Sequence, residues 1–123
     1  NAFQIGRAIR AMEEDWTQQF TLKSLADMVH MSQSSFRHHF TEITGIPPGE
    51  YLPKLRLKKA LLMLMSPDQN SNIAVRCGFS DNNYFARQFR KRLGMSPSNF
   101  HREYMYHRIS VSDMPKKLYP DQY

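Results

Sequence analysis

Cysteine is almost missing: Cys77 stands alone among 123 residues. One thiol excludes an internal disulfide and a cysteine-based zinc cluster, and Cys77 reads as a small core residue. Long hydrophobic runs are missing too. The longest strongly apolar stretch, Ala60 to Met65, falls far short of the ~20 residues that cross a bilayer. No signal peptide is present, so a cytoplasmic location and no membrane partner are expected. Acids are scarce in one region: from Lys54 to Arg92 nine Lys/Arg face only Asp68 and Asp81. From Asn1 to Glu50 the balance reverses, with four Lys/Arg against six acids. The net charge of +6 is therefore concentrated past residue 53 and favours a polyanionic partner. The equipment of catalysis is absent as well. No nucleophile is paired with a base, no glycine loop suits a phosphate, and no His-Glu-x-x-His occurs. His38 and His39 adjoin, which points them ~100° apart on a helix and makes a poor metal pair. Neither an enzyme nor a bound metal or cofactor is expected.

What is present is organised around Gly78 to Gly94. It reads as a turn followed by a short, very basic helix. Gly78 frees the backbone for the turn, Ser80 or Asp81 can cap the first free N–H groups, and Gly94 stops the helix. Phe85, Phe89 and Leu93 take one face at burial spacing. Asn83, Ala86, Arg87 and Arg90 take another, carrying the carboxamide and guanidinium groups that pair with base edges and phosphates. Just upstream, Asn72 to Cys77 predicts a supporting helix with Ile73, Ala74 and Cys77 inward. Helix, glycine turn, helix is the helix-turn-helix arrangement.

A second copy lies 49 residues upstream. Phe36, Phe40 and Gly45 correspond to Phe85, Phe89 and Gly94. Gly45-Ile46-Pro47-Pro48-Gly49-Glu50-Tyr51 then matches Gly94-Met95-Ser96-Pro97-Ser98-Asn99-Phe100. Both carry a proline where a new helix can start at no cost in hydrogen bonds, and an aromatic three residues on. The upstream supporting helix is Leu22 to Val29, capped by Thr21, in a register one residue tighter than in the second copy. Ser32 caps a helix from Gln33 to Thr44, with Phe36, Phe40 and Ile43 facing the core. Ser34, Arg37, His38 and Thr41 share the opposite stripe. Arg37 can bond bidentately to guanine, with His38, Ser34 and Gln33 as shorter readers.

The remaining elements frame these two copies. Phe3 to Gln18 predicts an amphipathic helix with Ile5, Ala8, Ile9, Met12 and Trp16 in one stripe, and Glu13 to Asp15 as a solvated turn. A linker helix runs from Pro48 or Gly49 to Met65, burying Leu57, Leu61 and Leu64. Lys54, Arg56, Lys58 and Lys59 wind around its first half, in reach of phosphates or simply solvated. Pro53 removes an N–H and should kink or delay this helix. Its ~25 Å length suits two reading heads about one DNA turn, ~34 Å, apart. Pro97 to His107 predicts a last helix, capped by Ser96, with Phe100 and Tyr104 inward.

Ile73-Ala74-x-x-Cys77-Gly78-Phe79-Ser80-Asp81-x-x-Tyr84-Phe85-x-Arg87-x-Phe89-Arg90-Lys91-x-x-Gly94-x-Ser96-Pro97 resembles the signature of the AraC/XylS family of bacterial transcription regulators. The resemblance covers roughly residues 3–107. It implies an all-α fold of seven helices, forming two helix-turn-helix subdomains (3–47 and 67–108) joined by a long linker helix (48–66). After Arg108 the periodicity is lost and Pro115 and Pro120 occur, so 109–123 reads as a mobile tail or a docking segment for a missing domain. The resemblance also implies that one helix of each unit enters successive major-groove segments of double-stranded DNA. Base readout then falls to Ser34, Arg37 and His38 in the first unit and to Asn82, Asn83 and Arg87 in the second. Phosphate or peripheral contacts fall to Gln33, Thr41, Lys54, Arg56, Arg90 and Lys91.

Family activators touch RNA polymerase, and Asp81 is the exposed acid that offers a weak site for that contact. Asn70 departs from the family's apolar residue and predicts a late or frayed start to the second unit. Asn1-Ala2 reads as the remnant of a cloning linker, so a missing N-terminal effector and dimerisation domain is expected. Three rivals stand beside this reading. A protein-docking module could use the same basic face, and a non-specific nucleic-acid binder could use charge alone. An RNA-binding helical domain fits less well, because the aromatics sit at core spacing rather than on a stacking surface.

Overall fold

The computed structural model describes residues 1–67, 72–110 and 112. They form α1 (Ala2–Glu14), α2 (Leu22–Met28), α3 (Gln33–Thr44), α4 (Pro48–Leu64), α5 (Ile73–Arg76), α6 (Asn82–Leu93) and α7 (Pro97–Met105). No strand occurs among the described residues. The chain divides into two compact units, and the boundary falls between Leu55 and Arg56, inside α4. The long helix thus gives its first half to one unit and its second half to the other. The expectations placed on Asn70 and on most of the 109–123 tail lie outside the described residues.

The first unit packs Ile5, Ala8, Ile9 and Met12 of α1 against Leu25, Ala26, Val29, Phe36, Phe40, Tyr51, Leu52 and Leu55. Each fully buried large apolar side chain contributes ~1.5–3 kcal/mol, so this cluster supplies the unit's main stabilisation. α1 ends at Glu14, four residues before the expected Gln18. Glu13, Glu14 and Asp15 crowd negative charge onto the negative end of the helix dipole. Past the helix end, Trp16 packs against the core as a turn residue. Glu13 is not simply solvated: its Oε2 accepts the hydroxyl of buried Tyr51 at 3.0 Å. α2 opens with a capping box, in which Thr21 Oγ1 accepts from Ser24 N and Ser24 Oγ accepts from Thr21 N, each at 2.9 Å.

The expected core position Ile43 is 36% exposed, and Thr44 takes its place at 5%. Phe36, Phe40 and Thr44 follow the i, i+4, i+8 row, which advances ~40° around the helix at each step, and Ile43 is left at the edge of that row, ~60° from its centre. The Thr44 hydroxyl donates to Phe40 O at 2.8 Å, so its burial leaves no orphaned hydroxyl.

Leu57, Ala60, Leu61 and Leu64 of α4 are buried, as are Ile73, Ala74, Cys77, Phe79, Phe85, Phe89, Leu93 and Phe100 in the second unit. Cys77 Sγ lies 3.7 Å from Met63 Sδ. His101 Nδ1 is 2.7 Å from Leu64 O, which gives the last carbonyls of α4 a partner.

Pro53 does not delay α4, which starts at Pro48 and runs unbroken to Leu64. Pro53 leaves the Gly49 carbonyl without its intrahelical donor. Gly49 is exposed, so water can serve that carbonyl and the helix continues.

The duplication read from the sequence recurs in three dimensions. α3 and α6 are both 12 residues long. Phe36 and Phe40 have ring centroids 5.6 Å apart, and Phe85 and Phe89 5.8 Å. Phe40 meets Tyr51 edge-on at 5.4 Å, as Phe89 meets Phe100 at 6.2 Å. The tighter register of the first copy is visible in the turns. Met31 N donates to Ala26 O and Phe79 N to Ala74 O, each at 2.9 Å. These partners are 48 residues apart in sequence, whereas the caps Ser32 and Asp81 are 49 apart. Ser80 is the extra residue.

Candidate nucleic-acid interface

α3 and α6 are each fixed at both ends by their own sequence. Ser32 Oγ accepts from Ser35 N at 3.1 Å, and Asp81 Oδ1 accepts from Tyr84 N at 2.7 Å. Asp81, rather than Ser80, is therefore the cap. Gly45 and Gly94 close the two helices at φ 84° and 83°, and their amides donate to Thr41 O and Arg90 O at 2.8 Å. Only a residue without a Cβ takes that backbone without strain. Aromatic burial on one side of each helix then fixes which side chains face out.

On α3, Gln33, Ser34, Arg37 and His38 are exposed and Thr41 is half-buried. Ser34, Arg37, His38, Thr41 and Glu42 line an open groove of ≈490 Å³. The structure thus brings together the four residues predicted as one stripe and adds a fifth. Glu42 continues that stripe at i+4 from His38, a signal present in the sequence that attention to cations and amides alone passes over.

On α6, Asn82, Asn83, Arg87, Arg90 and Lys91 are exposed. Tyr84 also reaches the surface, at 37%, and the Arg87 guanidinium carbon stands 6.0 Å from its ring centroid. At that distance the ring face attracts the cation and narrows its range of rotamers. The helical spacing i, i+3 carries this pair in the sequence.

The α4 cations divide. Lys54 is half-buried and keeps a path to solvent. Arg56 does not match its expected place on the surface: it is 8% exposed and belongs to the interior of the second unit. Burial is the largest influence on its guanidinium and lowers its pKa from the ordinary arginine value, with Cys77 and Tyr84 opposing. In the sequence it lies beside Lys54, Lys58 and Lys59, and nothing in that run marks one cation as internal.

A family model described as a helix-turn-helix domain matches residues 25–103, most of both units. The chain belongs to the AraC-type helix-turn-helix family. The transcriptional activator RhaR of Pectobacterium carotovorum subsp. carotovorum is 33% identical over 106 residues, 85% of this chain and 37% of RhaR. The chain thus spans just over a third of that relative. Two solved structures share the fold over most of their length. The DNA-binding domain of AdpA, in complex with a target DNA, has a TM-score of 0.78 and 28% identity, covering 85% of this chain and 95% of that one. The C-terminal domain of AraT, a response regulator of Geobacillus stearothermophilus, gives 0.76 and 28%, covering 88% of each. As an AraC-type helix-turn-helix chain, this one is a DNA-binding domain of a transcription regulator. Among the described residues, no helix is long and apolar enough to cross a membrane.

Proposed function

We propose that this AraC-type domain reads two successive major-groove segments of double-stranded DNA, one with α3 and one with α6. A single observation carries the reading: two 12-residue helices, built alike, each capped at both ends and each pressing aromatics inward. That construction leaves a rigid polar stripe facing out, which is what base recognition needs. Arg37 and Arg87 supply the long bidentate donors, and Ser34, His38, Asn82 and Asn83 the shorter contacts. Gln33, Thr41, Lys54, Arg90 and Lys91 meet phosphates or the groove edge. Arg56 drops out of that set because it is buried.

The domain works by binding, not by catalysis, in the bacterial cytoplasm. The resemblance to RhaR over only part of that activator supports an effector and dimerisation domain elsewhere in the intact regulator. RNA polymerase is the further partner, and Asp81, exposed at the start of α6, is the residue we assign to it. Selection from a pool of random duplexes at two salt concentrations tests the reading. Two short motifs spaced by ~10 bp support two reading heads. Uniform, strongly salt-sensitive recovery reduces the interface to charge attraction and rejects base reading. Asn83→Ala and Arg37→Ala should each relax preference within one motif only.

A further inference from the structure

Adjacent histidines on a helix diverge, so His38 and His39 alone are unsuited to a shared ion. The fold adds a third group. Glu42 lies one turn beyond His38, and the three residues offer ligand atoms that all lie within 4.8 Å of one another. Two of them already stand at ligand spacing: His39 Nδ1 is 3.5 Å from Glu42 Oε1. Two donors on a tetrahedral zinc shell of ~2.0–2.1 Å are separated by roughly 3.4 Å. The His38 ring approaches the His39 ring edge-on, with centroids 5.1 Å apart. His38 and Glu42 are both exposed, so small side-chain torsions can close the remaining gap without moving the helix.

We propose that His38, His39 and Glu42 form a binding site for a divalent transition cation, of the zinc, nickel or copper class. Two imidazoles and one carboxylate suit those ions, whereas magnesium and calcium demand an all-oxygen shell. Three protein ligands leave coordination positions for water, as in an open zinc site.

Occupancy has a consequence that rests on the DNA reading above. His38 lines the groove of α3; a bound ion takes one of its two ring nitrogens, leaves the other as a donor only and fixes the ring in one orientation. Metal therefore restricts what α3 reads at that position while leaving α6 unchanged.

Zinc chloride titrated calorimetrically into the protein, without DNA, tests the site. The expected result is one ion per chain at micromolar affinity, weakened at least tenfold in both His39→Gln and Glu42→Gln. Both positions lie outside the buried core, so circular dichroism should show the variants folded. Paramagnetic broadening by nickel, followed by NMR, should centre on residues 38–42. No stoichiometric binding, or binding that survives both variants and is lost in His101→Gln, overturns the site. The duplex selection repeated with saturating zinc tests the consequence. Loss of preference at one position of the α3 motif, absent in His39→Gln, supports it. An unchanged motif overturns the coupling, and the DNA-free titration keeps that failure separate from the site itself.

Discussion

At position 30 the first helix-turn-helix unit carries a histidine where the second has glycine. His30 holds φ 60° and Gly78 φ 87°, at equivalent points of their turns. A side chain in that region costs ~1–2 kcal/mol, against ~0.5–1 kcal/mol of extra backbone entropy lost by glycine. His30→Gly should therefore stabilise the chain by up to ~1 kcal/mol, and Gly78→Ala should destabilise it by a similar amount. Urea unfolding of the two variants checks both signs. Cys77 makes a second case at this scale. Burial pushes its thiol up to about 11 from an ordinary 9.0, and Arg76 and Arg56 only partly oppose it. The unfolded chain loses this proton near pH 9 and the folded chain only near 11. The folded state therefore keeps the full benefit below pH 9 and loses it as the pH rises through 11. Wild-type stability should fall faster over that window than that of Cys77→Ala, measured as the change in urea midpoint with pH. Equal slopes would mean that the thiol is accessible to water.

Helix ends and helix faces set the next scale. Asp81→Ala removes the acceptor for Tyr84 N and should cost ~1 kcal/mol, with α6 fraying first in hydrogen exchange. Within α4, Arg56→Ala should cost ~1–3 kcal/mol as a buried charge and its stem are removed, whereas Lys54→Ala stays within ~0.5 kcal/mol. These elements also mark how far the sequence can be read. Caps, glycine stops and the Phe36–Phe40 and Phe85–Phe89 pairs are legible because each depends on two or three neighbours in the chain. Both ends of α3 and the last residue of α6 follow from Ser32, Gly45 and Gly94. What is not legible depends on residues far away in sequence. Arg56 resembles Lys54 until the fold encloses it. Glu13 resembles Glu14 until Tyr51 arrives from 38 positions downstream. Pro53 reads as a delay to the helix because local rules count the lost N–H but not the exposure of the carbonyl it would have served. In the candidate site, the outward stripes, Glu42 included, are legible from periodicity, while the convergence of His38 with His39 depends on side-chain placement.

Charge separates the two units of the whole molecule, and with it their work on DNA. α3 carries one cation, Arg37, and one acid, Glu42, while α6 carries Arg87, Arg90, Lys91 and Arg92. Cations on phosphates release counterions, so they set the salt dependence of binding for every sequence alike. Bidentate donors on bases set discrimination and contribute little to that slope. The second unit should therefore supply most of the attraction, and the first should act mainly through sequence. Replacing Arg90 and Lys91 together by alanine should lower the slope of log K against log salt by up to ~1.8, about 0.9 for each phosphate no longer neutralised. It should weaken specific and random duplexes by the same factor. Arg37→Ala should do the reverse: the slope barely moves, and discrimination at one base pair falls by ~1–3 kcal/mol. Fluorescence anisotropy over 50 to 300 mM salt (roughly the range where such slopes are linear) measures both quantities on one pair of duplexes. If Arg37→Ala instead lowers the slope by about one and leaves discrimination intact, Arg37 lies on phosphate. The first unit would then contribute attraction as the second does, and the division of labour read from the charges would fail.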